Sequence, residues 1–155
     1  METVKISGYV FSVDIEKTRE YYRALSLCDC GYCRNFYAQI KGAFPKLGEF
    51  LYGFGVDISR PDELSNVEIG DYIHCISADY TVCGSVEAMG QAEIAIADSL
   101  PLNIVITDGF ASPNEQSGDY FTISVEGIDL PWALDEPLHE EKPSIKSFFQ
   151  KLFRK

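Results

Sequence analysis

Apolar residues recur at helical spacing in the first third of the chain and switch to alternate positions beyond residue 71. The run Val4–Val13 (VKISGYVFSV) is rich in β-branched and aromatic residues, and both of its faces carry apolar side chains. It predicts a strand. Asp14 is placed to cap a helix, with Glu16 in its first turn, and Ile15, Thr18, Tyr22 and Leu25 form a stripe that predicts a helix over about 15–25. Tyr32, Phe36 and Ile40 share one face of a second helix, expected from Gly31 to Lys41 and ended by Gly42. Pro45 suits a first helical turn, and Leu47, Phe50, Leu51 and Phe54 carry a third helix that Gly55 closes.

Val56–Ile69, with Pro61 and several acids, reads as a polar connection. Beyond it the period becomes two. Tyr72–Ser77 and Tyr80–Ser85 predict strands around a turn near Ala78-Asp79, and Ala92–Asp98 and Leu102–Thr107 predict two more. Tyr120–Val125 alternates in the manner of a sheet with one covered and one wet face. Asp108–Asp119 reads as a loop and Asp129–Pro143 as an extended crossing segment anchored by Trp132. Ser144 would cap a last, amphipathic helix over about 144–153, with Ile145, Phe148, Phe149, Leu152 and Phe153 on one face. That face is expected to pack on the chain's own sheet.

The expected class is therefore α+β, as a single domain over 1–155. A leading strand joins an antiparallel sheet, with a helical part over about 14–55, a strand-rich part over about 70–128 and the C-terminal helix. The short spacings between strands suit hairpins rather than parallel crossovers. The chain length fits one domain, and ten Phe and nine Tyr supply bulk for a core. No apolar run approaches the roughly 20 residues of a membrane span, and the N-terminus lacks a signal-peptide pattern, so a cytoplasmic protein is expected.

Charge sharpens this picture. The formal net charge is −11, and between Pro61 and Glu141 there are seventeen Asp or Glu and no Lys or Arg. Such a field repels nucleic acid and anionic lipid and favours a basic protein partner. The first functional expectation is thus a non-enzymatic binding module, of inhibitor or immunity type, directed at a cationic protein. Neither a phosphate-binding glycine loop nor a calcium loop is present in the sequence. No set of residues marks a catalytic centre.

The second expectation centres on Cys28, Cys30 and Cys33, three of the five cysteines within six residues. In a reducing compartment such a cluster reads as metal-binding or as free thiols rather than as a disulfide framework. A turn entering a helix can converge three sulfurs on one zinc ion, and a helix N-terminus favours the thiolate. A closed site needs a fourth ligand, for which His74, Cys75, Cys83 and His139 are the candidates. A two-residue turn at Ala78-Asp79 would bring His74 opposite Cys83, with Cys75 on the other face. Cys30-Gly31-Tyr32-Cys33 also has the spacing of a redox dithiol, so metal binding, thiol redox chemistry and buried thiols packed as small hydrophobes all stand open.

Overall fold

The computed structural model describes residues 1–90, 93–96, 102–108, 118–136 and 138. It is a mixed fold dominated by one antiparallel six-stranded sheet with three short helices. This corrects the expected α+β fold: the sheet dominates, a two-stranded hairpin stands where one leading strand was expected, and a further strand lies in the segment read as a polar connection. The C-terminal amphipathic helix expected at 144–153 lies outside the described residues.

The chain opens with a hairpin instead of one leading strand. β1 (Glu2–Ile6) pairs antiparallel with β2 (Tyr9–Val13), from Glu2↔Val13 to Ile6↔Tyr9. Ser7 and Gly8 make the two-residue turn, both at positive φ (49° and 83°), as a turn matching the twist of a hairpin requires. α1 (Ile15–Ala24) begins where expected, with the Asp14 carboxylate accepting from the Lys17 backbone N–H at 3.1 Å. α2 (Gly31–Ala43) runs through Gly42, and α3 (Pro45–Tyr52) follows with Pro45 in its first turn.

The segment read as a polar connection contains β3 (Glu63–Ile69). β3 turns through Gly70 (φ 57°) and Asp71 into β4 (Tyr72–Ala88), a single strand of 17 residues with no break at Ala78-Asp79. β5 (Asn103–Asp108) and β6 (Tyr120–Pro131) complete the sheet. Of the strand expected at 92–98, the described residues 93–96 are not in a strand. Strand order is β1-β2-β4-β6-β5, with β3 paired to β4 as well. Since β6 occupies one edge of β4 from Tyr72 to Cys83, β3 and β2 share the other edge in succession, at residues 72–79 and 84–88.

A paired irregularity explains why parity misleads in this half. On the core face of β4 the buried residues are Ile73 and Cys75, then Ala78, Tyr80 and Val82; on that of β6 they are Phe121, Ile123 and Val125, then Ile128 and Leu130. Both strands change parity at the same level. There the β3–β4 register shifts beside the exposed Ile76, and Gly127 sits at φ 85°. The extra residue restores the same face to the core on either side. In one strand this reads as a turn, because alternation stops and restarts.

The core lies between this face and the helices. Phe11 of β2 stacks on Phe121 of β6 at 5.0 Å and meets the Phe54 ring edge-on at 5.3 Å. Leu47, Leu51, Phe36 and Ile40 are buried from the helical side. Aromatic contacts of this geometry contribute about 0.5–1.5 kcal/mol each beyond their buried area.

Between the two partners of its shared edge, β4 has no neighbouring strand among the described residues, and α1, its N-cap and Asp62 close the gap. The Asp79 carbonyl accepts from Asp62 N–H at 2.8 Å, and Thr81 N–H donates to the Asp62 carboxylate at 2.7 Å. The Thr81 carbonyl accepts from the Tyr22 hydroxyl at 2.7 Å, and Cys83 N–H donates to the Thr18 hydroxyl at 3.0 Å. The Cys83 carbonyl accepts from Asp14 N–H at 2.8 Å. Every backbone group a missing strand would have paired is thereby satisfied, as buried amides demand. Arg60 fixes the far end of α1 by donating to the Tyr22 and Leu25 carbonyls at 2.8 and 2.7 Å.

Candidate metal centre

The loop between α1 and α2 carries the cysteines, and α2 holds that loop in place. Cys30 is the N-cap of α2, and its Sγ accepts from Cys33 N–H at 3.4 Å, the role a serine or aspartate oxygen fills in most helices. The Tyr37 hydroxyl donates to the Cys28 carbonyl at 3.0 Å, and Arg34 Nε donates to the Asp29 carbonyl at 3.0 Å. Both residues lie one or two turns along α2, so the helix clamps its own approach loop.

The start of α2 is in turn docked on the end of β6. Buried Asn35 donates to the Pro131 carbonyl at 3.1 Å and accepts from Ala133 N–H at 2.9 Å. Gln39 also donates to Pro131, at 2.7 Å. Trp132 lies over the first turn: a Cβ at Gly31 would sit 3.1 Å from its ring, which leaves room for glycine alone without a shift. Its indole N–H donates to the Glu136 carbonyl at 2.8 Å, and Arg34 pairs with the Glu136 carboxylate at 2.6 Å. The anchoring role expected of Trp132 thus falls on the cysteine loop. Asn35, Tyr37 and Arg34 support the loop without any signature in the sequence, since single polar residues on a helix carry no spacing rule.

The Sγ atoms of Cys28, Cys30 and Cys33 all lie within 4.8 Å of one another. Three thiolates around a tetrahedral ion with Zn–S bonds of about 2.3 Å stand about 3.8 Å apart, so closure asks for a contraction of about 1 Å or less. Cys28 and Cys30 are exposed and Cys33 is buried. The Cys28 thiol is lowered, first by a hydrogen bond from the Cys30 backbone and then by the two neighbouring sulfurs. Cys33 is raised, chiefly by burial. The three cysteines together could hold a metal ion.

No fourth protein ligand joins them among the described residues. His74 sits in β4 opposite Asp129 of β6 and pairs with its carboxylate. Cys75 is buried in the core opposite Ile128, its thiol pushed up to about 12 by burial. Cys83 is buried opposite Tyr120, and burial raises its thiol too. The expected pairing of His74 with Cys83 is corrected: it depended on a turn at Ala78-Asp79, and the two residues instead lie nine positions apart along one continuous strand. His139 lies outside the described residues.

No helix among the described residues is long and apolar enough to cross a membrane. The arrangement is that of an accessible three-sulfur centre at a helix start. Comparison with protein-family models, with curated proteins and with solved structures finds no match to this chain.

Proposed function

We propose that the protein binds a thiophilic metal ion, zinc in the first instance, through Cys28, Cys30 and Cys33. The observation that supports this reading is the mutual approach of the three Sγ atoms to within 4.8 Å at the start of α2. Three protein donors leave one tetrahedral position for a ligand from elsewhere, such as His139 or an external molecule. Donor sets with an open position belong to ions that meet substrates or exchange, whereas structural zinc is closed by four protein ligands. Binding displaces the thiol protons, so affinity falls as the pH is lowered.

The test uses the full chain purified without chelator. About one equivalent of zinc should be retained, and titration with cobalt(II) should produce a thiolate-to-metal charge-transfer band that Cys28→Ser and Cys33→Ser each weaken. Trp132, the single tryptophan, rests on the first turn of α2 and should report the same titration by fluorescence. Absence of bound metal together with absence of the band sinks the proposal. Loss of thiol titre without metal, reversed by a reductant, would assign Cys30 and Cys33 to dithiol chemistry instead.

A second reading is favoured by the outward face of the sheet. Exposed Glu63 pairs across β3–β4 with Asp79, and Glu126 of β6 faces Ser77 and Asn103. These acids share the strand-rich region with exposed Val67, Ile69 and Tyr72, and no Lys or Arg occurs between residues 61 and 141. This is the composition of a surface that meets a basic protein. Salt-sensitive binding of a purified basic partner should be lost in Glu63→Lys/Glu126→Lys. Retained binding in that variant would remove this reading while leaving the metal centre untouched.

A further inference from the structure

Four of the eight basic residues in the first 60 positions line one cavity, in a chain whose net charge is −11. The cavity, about 980 Å³, opens between α1, the end of α2, α3 and the segment 55–60. Arg19 and Arg23 come from α1, Lys41 from the last turn of α2, and Arg60 from the loop before β3. Two acids also line it, but each is engaged: Glu49 lies 3.8 Å from Lys46, and Asp57 accepts from the Ser59 N–H and hydroxyl at 3.0 and 2.6 Å.

The cations differ in what they already do. Arg60 is committed to the α1 carbonyls. Arg19 pairs with Glu16 at 2.7 Å and lies 5.2 Å over the Tyr52 ring, yet its Nε is buried without a hydrogen-bond acceptor among the described residues. Arg23 and Lys41 are exposed, and neither forms an ion pair among the described residues. The remaining wall is largely apolar, from Tyr52, Ile58 and their neighbours. A buried donor without an acceptor is costly unless something fills the gap. A concave, mostly apolar site with a few convergent charges is the usual form of a small-molecule pocket, and its volume falls in the usual range.

We infer that this cavity binds a small organic anion, a phosphate or carboxylate head on an aromatic or apolar body. Arg23 and Lys41 take the anionic head, and the Tyr52 side takes the body. The long-range field favours a small ligand: the acidic body repels extended polyanions such as nucleic acids and anionic membranes, while one small anion inside a cationic recess is screened from it. None of these residues touches the cysteine centre, so the two sites stand or fall separately.

Calorimetric titration of the full chain tests it with four probes. Phenyl phosphate and benzoate carry head and body, inorganic phosphate carries only a head, and benzyl alcohol carries only a body. At least one of the first two should bind saturably and more tightly than the other two, and the preference between them identifies the head. Arg23→Gln/Lys41→Gln should weaken that binding by about 100-fold, roughly tenfold for each charge-assisted hydrogen bond removed. Both side chains are exposed, so the variant should keep the wild-type circular dichroism spectrum. Lys5→Gln, on exposed β1, should bind as wild type. No saturable binding of either aromatic anion at millimolar concentration, equal affinity for benzyl alcohol, or unchanged affinity in the double variant would each overturn the inference.

Discussion

Thr18→Val removes one oxygen from the seal along β4 and changes the side-chain shape very little. Thr18 is fully buried; its hydroxyl donates to the Asp14 carbonyl at 2.8 Å and accepts from Cys83 N–H at 3.0 Å. After substitution the Asp14 carbonyl still holds the backbone N–H of position 18, at 3.0 Å in the wild type. Cys83 N–H is left buried with no partner, because its edge of β4 faces α1 and β3 has already ended. An unsatisfied buried donor costs about 1–3 kcal/mol, and the added methyl offsets up to about 0.8 kcal/mol of that. The net loss is about 1–2 kcal/mol, or a fall in Tm of about 2–8 °C for a domain of this size. Amide exchange gives the sharper assay: Cys83 N–H should lose protection while Thr81 N–H, held by Asp62, keeps most of its own. A Tm within about 1 °C of wild type, with Cys83 protection unchanged, would refute the account of the sealed edge.

Asp62 is raised above its ordinary 3.8, chiefly by burial and against the hydrogen bonds from Tyr21 and Thr81. Its contribution to stability is therefore greatest below the unfolded pKa and is lost as pH rises through the raised folded value. Asp62→Asn removes that dependence, so the stability of wild type minus variant, from urea midpoints, should fall as pH rises from about 4; a constant or rising difference contradicts the sign. Gly84 sits at φ 146° where a Cβ would collide with the Ser12 carbonyl oxygen, so Gly84→Ala should cost about 3–5 kcal/mol in chemical denaturation. Gly42, inside α2 with nothing within 4 Å of a Cβ, should behave oppositely, Gly42→Ala adding about 0.5–1 kcal/mol by the same measurement.

Where the chemistry of a position is local, the sequence was legible. Asp14 before an apolar stripe, Pro45 at a helix start and Trp132 as an anchor each act within a few residues or through one bulky group. The cysteine cluster was legible for the same reason, its three sulfurs meeting within six residues. What escaped depends on pairing across distance. The kink shared by Ile76 and Gly127 can be seen only once β4 and β6 lie side by side. Ser7-Gly8 hid a turn within a run of strand-forming residues. Gly84 looked like an ordinary strand residue until β2 came close to it. The expected juxtaposition of His74 and Cys83 failed because it inherited the false turn. The cationic cavity was half legible: its bases are concentrated in the first 60 residues, but nothing local shows that two helices and a loop turn four of them toward one space.

The length of β4 has a consequence for how the chain folds. A straight strand of 17 residues would extend about 56 Å, whereas a chain of this size has a radius of gyration of about 15 Å. The strand must bend around the core, and it completes its two shared-edge partnerships at very different sequence separations. β3 joins it through a two-residue turn, while Val13 of β2 meets Gly84, 71 positions further along the chain. Loop-closure entropy places the first pairing early and the second late. The N-terminal hairpin is therefore expected to dock as a finished piece onto a sheet in which β3 and β4 are already paired. Truncating Phe11 should then accelerate unfolding and leave the folding limb of the chevron nearly unmoved, and a slowed folding limb would reverse that order.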